Sequence, residues 1–481
     1  MDNRLSTLGK ILAFATLIIA IRSATLIDWR SLKQLNFTEP PLVDTLSVDT
    51  DAYLRLAANW SKTGTFGFED STGRVTPTAF RPMLYPWLLS WLAFDDPYPP
   101  LAVAALNLGI GFATVFLTWA IGIKLHLQAK WATAAALAVA LDPILLRAGQ
   151  SAMTETLAAF LVALAWYLWL VVWPPQDVVK GYCPSSRSAA QWFSLVGLGL
   201  VMGLAILARP TAAPWAGLCI ASCTLVGCVC WKRRITDSLI LMICVSVCVT
   251  PWVLRNWSQL GKPIWATSHG GYTLLLANNS SLYAHFRQHG PSRNWDATSF
   301  HQLWERRLAN PVEDLALDDE PASTDAAERK QAATSAHDSL NELADDRRAY
   351  EAAWQTIRSN PRMFLLSCCY RAGWFWAWWP NQSSWQTRMA IGLWYAVFCL
   401  MACAGMARLV RSRRITSWVL PGILLFSLTI VHAVYWSNMR MRAPLVSQIY
   451  LLAFLVPSER RSYSSRLAST ETGNLPGRSN G

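Results

Sequence analysis

The sequence is poor in charged residues. Only 15% of its 481 residues are Asp, Glu, Lys or Arg, against roughly 25% in ordinary soluble domains. Such a low charged fraction excludes a water-soluble globule, and with it a cytosolic enzyme. Acidic residues are fewer than basic ones: 30 Asp and Glu against 42 Lys and Arg give a net charge of +12. The location of the positive charges therefore decides between a nucleic-acid partner and membrane topology.

The sequence also lacks a cysteine framework. Most of the 11 cysteines lie inside apolar runs, where Cys behaves as a small hydrophobic residue. These cysteines are Cys219, Cys223, Cys228, Cys230, Cys244, Cys248, Cys399 and Cys403. Neither a disulfide nor a zinc site follows from them. The isolated His269 and His432 are given no role, because a lone histidine is more often structural than a ligand.

Long apolar runs are abundant. Hydrophobic residues make up 53% of the chain, and 26 Trp suit the membrane interface. Runs of about 17 to 23 residues can cross the hydrocarbon core as helices. We predict an all-α polytopic membrane protein with about ten transmembrane helices. Their approximate ranges are 8–27, 101–121, 130–147, 153–173, 190–208, 211–231, 236–254, 389–409, 418–436 and 441–457. The first contains Arg22 and lacks a small-residue cleavage site, so it is not interpreted as a cleavable signal.

Basic residues alternate between the connections, as the positive-inside rule requires. The basic side begins with Arg4 and Lys10 and ends with Arg460 and Arg461 in the tail. Between them it holds Lys124, Lys130, Lys180, Arg187, the run 232–234, Arg408, Arg411, Arg413 and Arg414. We therefore predict a multi-pass protein of the cytoplasmic (inner) membrane with both termini cytoplasmic. Topology accounts for the positive charge, and no nucleic-acid partner is predicted.

This topology divides the chain into six segments. They are 1–27, the first transmembrane helix; 28–100, a first outer loop with amphipathic helices; 101–254, transmembrane helices 2–7; 255–388, an outer-face helical segment; 389–457, transmembrane helices 8–10; and 458–481, a cytoplasmic polar tail. The aromatic stretch 363–379 is predicted to be an interfacial helix, because Arg371 lies in its middle. If this stretch crosses the membrane instead, every later connection moves to the opposite side and the predicted topology no longer holds.

Two carboxylates open the amphipathic part of the first outer loop. Asp49 and Asp51 form a DxD pattern directly before a helical pattern that includes Tyr53. One interpretation is a helix cap and first-turn acid, stabilised by the helix dipole. The other is a general base, with or without a divalent metal ion held by both carboxylates. A base at this depth can meet a substrate whose headgroup lies at the membrane surface.

Arginines also occur on the non-basic side, against the positive-inside rule. They are Arg81, Arg209, Arg255, Arg440 and Arg442. Arginine suits phosphate because its planar fork donates two parallel hydrogen bonds and stays charged. The alternative is a snorkelling anchor at the interface. Since charges at outer helix ends cost free energy, a shared anionic ligand is the economical explanation.

Two further carboxylates lie near the outer ends of predicted spans. Glu155 begins the fourth span, and Asp142 precedes Pro143 near the end of the third. Each is either a solvated helix end or a second acidic member of the site.

Several motifs, taken in order, resemble the GT-C superfamily of polytopic glycosyltransferases. They are DTDAYLRLAANW, RPMLYPWLL, QSAMTETL, ARPTA, PWVLRNWSQLGKPIWATSHGGYTLLLANN, AYEAAWQTIRSNPRMF and MRMRAPLVSQIYLLA. The similar branch contains the protein O-mannosyltransferases and aminoarabinose transferases, of glycosyltransferase family 39. In that branch a carboxylate four residues before the loop tyrosine is the proposed catalytic acid or base. The resemblance gives this role to Asp49, four residues before Tyr53, and makes Asp51 secondary. Where the branch often has Asp-Glu, this chain has Asp49-Thr50.

The resemblance implies a membrane glycosyltransferase with a polyprenyl-phosphate-linked sugar donor. The acceptor is a hydroxyl of a lipid, glycan or protein on the extracytoplasmic face, and membrane lipids surround the site. Asp49 and Asp51 are the expected catalytic residues and the expected ligands of a divalent metal ion. The expected substrate-binding residues are Tyr53, Arg81, Tyr85, Glu155, Arg209, Arg255, Arg440 and Arg442. Direct attack by the acceptor predicts inversion at the anomeric carbon.

Three other functions remain open at this stage. A lipid-linked glycan ligase or polymerase would use the same phosphate clamp without an acid in the first loop. A lipid-linked sugar transporter or flippase would show two matching halves of broken helices, and the sequence has no such symmetry. A non-catalytic membrane subunit would tolerate the change Asp49→Asn.

Overall fold

The structure, a computed structural model, describes most of the helical part of the chain. The described residues are 15–27, 46, 49, 51–70, 72–92, 100–175, 187–225, 231–292, 295–309, 339–380, 384–411 and 415–457. The polar tail predicted at 458–481 lies outside them, as does the middle of the acidic tract, 310–338.

The first half of the described chain contains ten helices and one hairpin. In chain order these are α1 (Ala15–Leu26), α2 (Tyr53–Thr63), β1 (Gly67–Glu69), β2 (Val75–Pro77), α3 (Leu84–Ser90), α4 (Pro100–Lys124), α5 (Ala129–Ala140), α6 (Pro143–Gly149), α7 (Glu155–Val172), α8 (Ala189–Ala208), α9 (Ala213–Leu225) and α10 (Trp231–Leu260).

The described residues of the second half form helices and the connections between them. These helices are α11 (Gly270–Ala277), α12 (Ser280–His289), α13 (Thr298–Ala309), α14 (Ser339–Ser359), α15 (Pro361–Phe375), α16 (Trp385–Arg411), α17 (Val419–Val434) and α18 (Met439–Pro457). The first seven residues of α18, Met439–Leu445, are a 3-10 helix.

Six described helices are long and apolar enough to cross a membrane. They are α4, α7, α8, α10, α16 and α18, and the bent pair of α5 and α6 makes a seventh if it counts as one span. The shorter apolar helices α1 and α17 also lie at predicted spans. The chain is therefore a multi-pass helical membrane protein, and the total of ten spans stays a prediction.

The predicted span 130–147 is bent. Helices α5 and α6 meet at 50° because Pro143 has no N–H to continue the helical ladder. Asp142 caps the second helix by accepting the N–H of Leu145 at 2.9 Å. Its other oxygen accepts the hydroxyls of Tyr395 and Tyr450 at 3.0 and 2.7 Å. Asp142 is thus a fully buried internal cap and is not a solvated helix end.

Helices α8 and α10 approach each other through glycines spaced four residues apart. A Cβ at Gly199 would lie 2.6 Å from Cys244 Cβ, and one at Gly203 would lie 2.6 Å from Cys248 Cβ. Small residues at this spacing let membrane helices pack at backbone distance. The cysteines of this pair act as small packing residues.

The first outer loop departs from the all-α prediction. Strands β1 and β2 form an antiparallel hairpin in which Gly67 pairs with Pro77 and Glu69 with Val75. Its turn is built by Asp70, whose Oδ1 accepts the N–H groups of Thr72 and Arg74. A side chain at Gly67 would collide with the Thr76 carbonyl, so the close pairing needs glycine there. The helical periodicity of the flanking segments carries no signal for strands this short.

The outer-face segment has a small core of its own. Leu274 and Leu275 of α11 pack with Phe300 and Trp304 of α13 and with two alanines of α14. Helix α15, within the predicted aromatic stretch, has 15 residues. Its length of about 22 Å is shorter than a hydrocarbon core of about 30 Å. Arg371 on α15 is buried and donates to the carbonyls of Ala433 and Ala277, at the ends of α17 and α11.

Candidate functional site

Five charged side chains meet where several helices begin or end. Asp51 precedes α2, Arg81 precedes α3, Glu155 begins α7, Arg209 follows α8, and Arg440 lies in the first turn of α18. We call these five residues the arginine cluster. An acid at a helix N-terminus and a base at a helix C-terminus both complement the helix dipole. The antiparallel packing of α7 and α8 therefore brings opposite charges to the same end.

Glu155 lies between two arginines. Its Oε1 is 3.4 Å from Arg209 Nη1 and 3.6 Å from Arg440 Nε. The Glu155 residue is only 4% exposed, so these contacts are shielded from water. The prediction that Glu155 joins the acidic members of the site thus agrees with its placement, while a solvated helix end does not.

Asp51 joins the first outer loop to the same group. Arg81 Nη2 donates to Asp51 Oδ1 at 3.0 Å, and Arg81 Nε donates to the Asp51 backbone carbonyl at 3.0 Å. The other carboxylate oxygen of Asp51 is 3.9 Å from Arg440 Nη2. Arg440 therefore contacts both carboxylates of the cluster and links the loop to the membrane helices.

The arginines of the cluster use their hydrogen-bonding capacity poorly. Arg209 Nη2 and Arg440 Nη1 donate to the thioethers of Met441 and Met153, at 2.8 and 2.9 Å, and thioether sulfur is a weak acceptor. Within the described part of the chain, Arg209 Nη1 and Arg440 Nε are buried and have no hydrogen bond. Three arginines there face two carboxylates, so the described cluster has one positive charge in excess. An arrangement of this kind suits an additional anion.

Asp49 lies beside the cluster and holds the start of α2. Its two oxygens accept the N–H groups of Leu54 and Arg55, at 2.9 and 3.0 Å, and Arg55 Nε is 3.4 Å from it. The turn between Asp49 and the helix passes through Ala52, a non-glycine residue with φ of 63°. The helix-cap geometry expected under the structural interpretation is present. It leaves Oδ1 with a second lone pair for a substrate hydroxyl, while Oδ2 also contacts Arg55 Nε.

Tyr53 and Tyr85 form a pair of packed aromatic rings next to the arginine cluster. Their rings pack edge to face with centroids 5.7 Å apart, and both side chains are buried. Burial raises the pKa of Tyr53, so it stays a neutral phenol beside the charges of Arg81, Asp51 and Glu155. Tyr85 donates to Asn107 Oδ1 at 3.1 Å, and Asn107 in turn donates to the Ser151 carbonyl at 3.0 Å.

Two predicted phosphate ligands hydrogen-bond elsewhere. Arg255 donates to the carbonyls of Phe66 and Thr78, at 2.6 and 2.7 Å, and so ties the hairpin to α10. Arg442 is buried, donates to the Phe375 carbonyl at 3.2 Å and lies over the Tyr395 ring. Both donate to backbone carbonyls, while Arg442 Nε and Nη2 are buried without a hydrogen bond among the described residues. Phosphate binding by these two arginines stays a prediction.

Sequence reasoning missed Glu342, which connects the predicted outer-face segment to the loop that carries Arg81. Its carboxyl accepts the Thr78 hydroxyl at 2.5 Å, the Ala79 N–H at 3.2 Å and the Ser268 hydroxyl. Burial raises the pKa of Glu342 to about 7, against the opposing effect of these hydrogen bonds. It lies in a polar helical tract where an acid normally faces water, so only the tertiary contact distinguishes it.

The donor set of Asp49 and Asp51 is a poor fit for a metal ion. The oxygens of Asp49 accept backbone N–H groups, and those of Asp51 face arginines. Among the described residues, no three His, Cys, Asp or Glu side chains form a group that could hold a metal. The two carboxylates alone would leave most positions of a divalent ion to other ligands.

Comparison with known proteins identifies the fold. No protein-family model matches the chain, and no curated protein does. Among solved structures, the oligosaccharyltransferase AglB from Archaeoglobus fulgidus, in complex with an inhibitory peptide and a dolichol-phosphate, is similar at 14% identity and a TM-score of 0.52. The match covers 98% of this chain and 52% of that chain. The chain thus spans about half the length of this enzyme.

Two further solved structures extend the comparison. The Archaeoglobus fulgidus oligosaccharyltransferase in complex with Zn and sulfate is similar at 12% identity and a TM-score of 0.51, over 95% of this chain and 51% of that one. ArnT from Cupriavidus metallidurans bound to undecaprenyl phosphate is 15% identical over 98% of this chain and 81% of that one. Its TM-score of 0.41 is too low to carry an argument. The matches above 0.5 confirm the predicted GT-C-like fold.

Proposed function

We propose that the protein is a membrane glycosyltransferase. It moves a sugar from a polyprenyl-phosphate-linked donor to an acceptor hydroxyl on the extracytoplasmic face of the cytoplasmic membrane, with both termini cytoplasmic. The observation that carries this proposal is the arginine cluster, in which, among the described residues, cations outnumber anions and buried N–H groups contact Glu155 without forming hydrogen bonds. The fold supports it, since the archaeal oligosaccharyltransferase that shares it was solved with a dolichol-phosphate.

The cluster would bind the donor phosphate and stabilise it as it departs. When the acceptor oxygen attacks the anomeric carbon, the bond from that carbon to the phosphate oxygen breaks and the phosphate gains negative charge. Preorganised N–H donors at this oxygen lower the barrier most, because their orientation costs nothing at the moment of reaction. Arg209 and Arg440 would supply these donors. Arg81 would hold the first outer loop against them through Asp51.

Asp49 is the proposed general base. It would take the proton of the acceptor hydroxyl as that oxygen bonds to the anomeric carbon, so the polyprenyl phosphate leaves as an anion and the anomeric centre inverts. Its hydrogen bonds to Leu54 and Arg55 fix the direction of its free lone pairs. Asp51 and Glu155 would be positioning residues, because each contacts arginines of the cluster. Tyr53 and Tyr85 would form the floor against which the sugar packs.

One structure of the archaeal oligosaccharyltransferase contains Zn. No step of the proposed reaction is assigned to a metal ion in this chain, because the oxygens of Asp49 and Asp51 already accept N–H groups or face arginines. Stabilisation of the charge on the leaving phosphate is assigned to the arginines.

A second function is favoured by one observation. The fold is shared with an oligosaccharyltransferase, an enzyme whose name describes transfer of an oligosaccharide. A lipid-linked glycan ligase or polymerase would use the same cluster to release a polyprenyl carrier from a glycan block. The two functions differ in the donor: one takes a single sugar, the other a preassembled chain.

The test is transfer in proteoliposomes, with donors that carry either one sugar or an oligosaccharide on polyprenyl phosphate or diphosphate. Wild type should transfer from the single-sugar donor, and Asp49→Asn should not. Asparagine is a good helix cap, so this variant keeps the start of α2 while losing the base. Asp70→Asn, the same change at the exposed turn of the hairpin, is the matched control and should remain active.

Three results would contradict the proposal. Normal transfer by Asp49→Asn would return Asp49 to a purely structural role. Transfer from the oligosaccharide donor alone would favour the ligase or polymerase. Movement of an intact donor across the membrane, without transfer, would favour a transporter.

A further inference from the structure

An open cavity of about 640 Å³ lies beside α14, apart from the arginine cluster. One wall is the connection between α10 and α11, including Lys262 and Ser268, and the other is a single face of α14. The volume falls in the range of about 300–1,000 Å³ typical of ligand pockets. Successive turns of α14 contribute Asp346, Tyr350 and Trp354, so one helical face supplies both aromatic and charged groups.

The lining mixes hydrogen-bond donors with acceptors. Lys262, Arg347 and Arg358 donate only, Glu351 accepts from Arg347 Nε at 2.9 Å, and Gln355 both donates and accepts. Asp346 has one oxygen bound to the N–H of Gly271 at 2.7 Å, which fixes its carboxylate at the wall. A ligand that suits this mixed surface carries many hydroxyl groups, because each hydroxyl donates one hydrogen bond and accepts others.

Trp354 adds an apolar plane to this polar cavity. Its side chain is 49% exposed on an otherwise polar helix, where burial of the indole is favoured if a ligand covers it. The C–H face of a sugar ring is apolar while its hydroxyls point outward, so a pyranose suits an indole plane surrounded by polar groups. An acyl chain would require apolar walls on all sides.

The cavity wall is bound to the loop that carries Arg81. The Ser268 N–H donates to the Ala79 carbonyl at 3.0 Å, and Ser268 shares Glu342 with Thr78 and Ala79. Arg81 follows Ala79 by two residues, which reach about 7 Å at most. The backbones of Ser268 and Arg81 are thus within about 12 Å of each other. A short saccharide can bridge such a distance.

We infer that this cavity binds a non-reacting sugar unit of the acceptor, which makes the acceptor a glycan or a glycolipid. That the bound sugar belongs to the acceptor rests on the proposed function. Sugar binding by the cavity does not depend on it. Trp354 would stack on the ring, and Asp346 and Gln355 would bind its hydroxyls.

The test separates sugar binding from transfer. Fluorescein-labelled chitotriose, mannotriose and galactotriose are titrated into the detergent-solubilised full-length protein, and fluorescence polarisation is measured. Wild type should bind at least one of them, and Trp354→Ala and Gln355→Ala should each weaken that binding about tenfold or more. Trp265→Ala is the matched control. Trp265 lies on the connection between α10 and α11 and is 51% exposed, but it does not line the cavity. Thermal unfolding of each variant verifies that it is folded.

With the bound trisaccharide as acceptor, Trp354→Ala should raise the acceptor KM and leave kcat and donor binding unchanged. Equal binding by Trp354→Ala and wild type, an equal loss in Trp265→Ala, or no binding of any trisaccharide overturns the inference. Displacement of the probe by phosphatidylglycerol vesicles but not by unlabelled trisaccharide assigns the cavity to lipid headgroups and also overturns it. Sugar binding by a wild type that transfers nothing would refute the proposed function and leave the cavity assignment standing.

Discussion

Two groups of buried arginines and carboxylates lie at opposite ends of α8. Before its first residue, Arg187 forms a bidentate pair with Asp237 of α10, and Nη2 is 2.6 Å from Oδ2. After its last residue, Arg209 enters the arginine cluster. The 20 residues of α8 separate the two groups by about 30 Å. The same residue types, at the two ends of one helix, are arranged in different ways.

The difference lies in charge balance and geometry. In the Arg187–Asp237 pair one cation meets one anion through two parallel hydrogen bonds, the strongest arrangement available to these groups. In the arginine cluster the shortest contact to Glu155 is 3.4 Å, and cations outnumber anions. A lone orphan nitrogen does not distinguish the two, since Arg187 Nε also lacks a hydrogen bond. The proposed phosphate site rests on two features of the arginine cluster: its excess of positive charge and the long contacts of its arginines to Glu155.

The largest expected effect is on catalysis in the arginine cluster. Arg209→Ala should reduce kcat for sugar transfer by about 10²–10³-fold, as for the loss of one preorganised donor to a developing anion. Arg209→Lys should restore part of the rate, because it keeps the charge and loses the fork. Rates are measured in proteoliposomes with the labelled donor. Arg287→Ala, at an exposed arginine of the outer-face segment, is the control; an equal loss there would remove the special role of the cluster.

The next effect is on stability at the Arg187–Asp237 pair. Arg187→Ala should destabilise the protein by about 3–5 kcal/mol, because it leaves the Asp237 carboxylate buried without a partner. Denaturant unfolding in detergent measures this. The double change Arg187→Met with Asp237→Leu should recover most of the loss, since an apolar pair of similar volume avoids the desolvation penalty. Transfer per folded molecule should stay near wild type; loss of catalysis in this double variant would erase the contrast between the two groups.

A smaller effect concerns pH and Glu342. Its pKa is about 7 in the folded protein against an ordinary value of 4.5, so between these values the folded state holds a proton that the unfolded state has lost. Its contribution to stability is therefore fully present below pH 4.5 and is lost as pH rises through about 7. Glu342→Gln should remove this decline. The melting temperature is compared with that of wild type and of Glu351→Gln, an exposed acid on the same helix; identical pH profiles for all three would refute the assignment.

The smallest expected effect is that of a chelator. Because the carboxylate oxygens of Asp49 and Asp51 already have N–H partners, EDTA should leave transfer by wild type unchanged within error. An essential divalent ion contributes several kcal/mol to charge stabilisation, so its removal would be unmistakable. Loss of transfer in EDTA, with recovery on adding Mg²⁺, Mn²⁺ or Zn²⁺, would show that the arginine cluster works with a metal.

Four members of the arginine cluster can be selected from the sequence, because helix ends and charge signs are local properties. Arg81, Glu155, Arg209 and Arg440 are charges at the ends of apolar runs, and the helical fold brings them together. Arg255 shows the same local signature but binds carbonyls of the hairpin, which the sequence did not reveal. Glu342 has no local signature, because its burial depends on three residues from two distant segments.

The fold, like the arginine cluster, has features that the sequence predicts and features that depend on contacts between distant segments. Long apolar runs predicted the membrane helices, since length and hydropathy alone determine whether a helix can cross. The bend between α5 and α6 follows from Pro143, which is visible in the sequence, whereas the burial of Asp142 at the bend depends on Tyr395 and Tyr450 from the last third of the chain. Strands β1 and β2 have three residues each, too few for alternation to be visible.

The arginine cluster draws its members from segments that are far apart in the chain, and Arg440 comes from the last described helix. During synthesis the N-terminal segments leave the ribosome first, so Asp51, Arg81, Glu155 and Arg209 are present long before Arg440. Until α18 inserts, Glu155 has only Arg209 beside it, and Asp51 has only Arg81. The arginine cluster is thus completed last among the described segments, and a nascent chain lacks the proposed phosphate-binding site until α18 is in place.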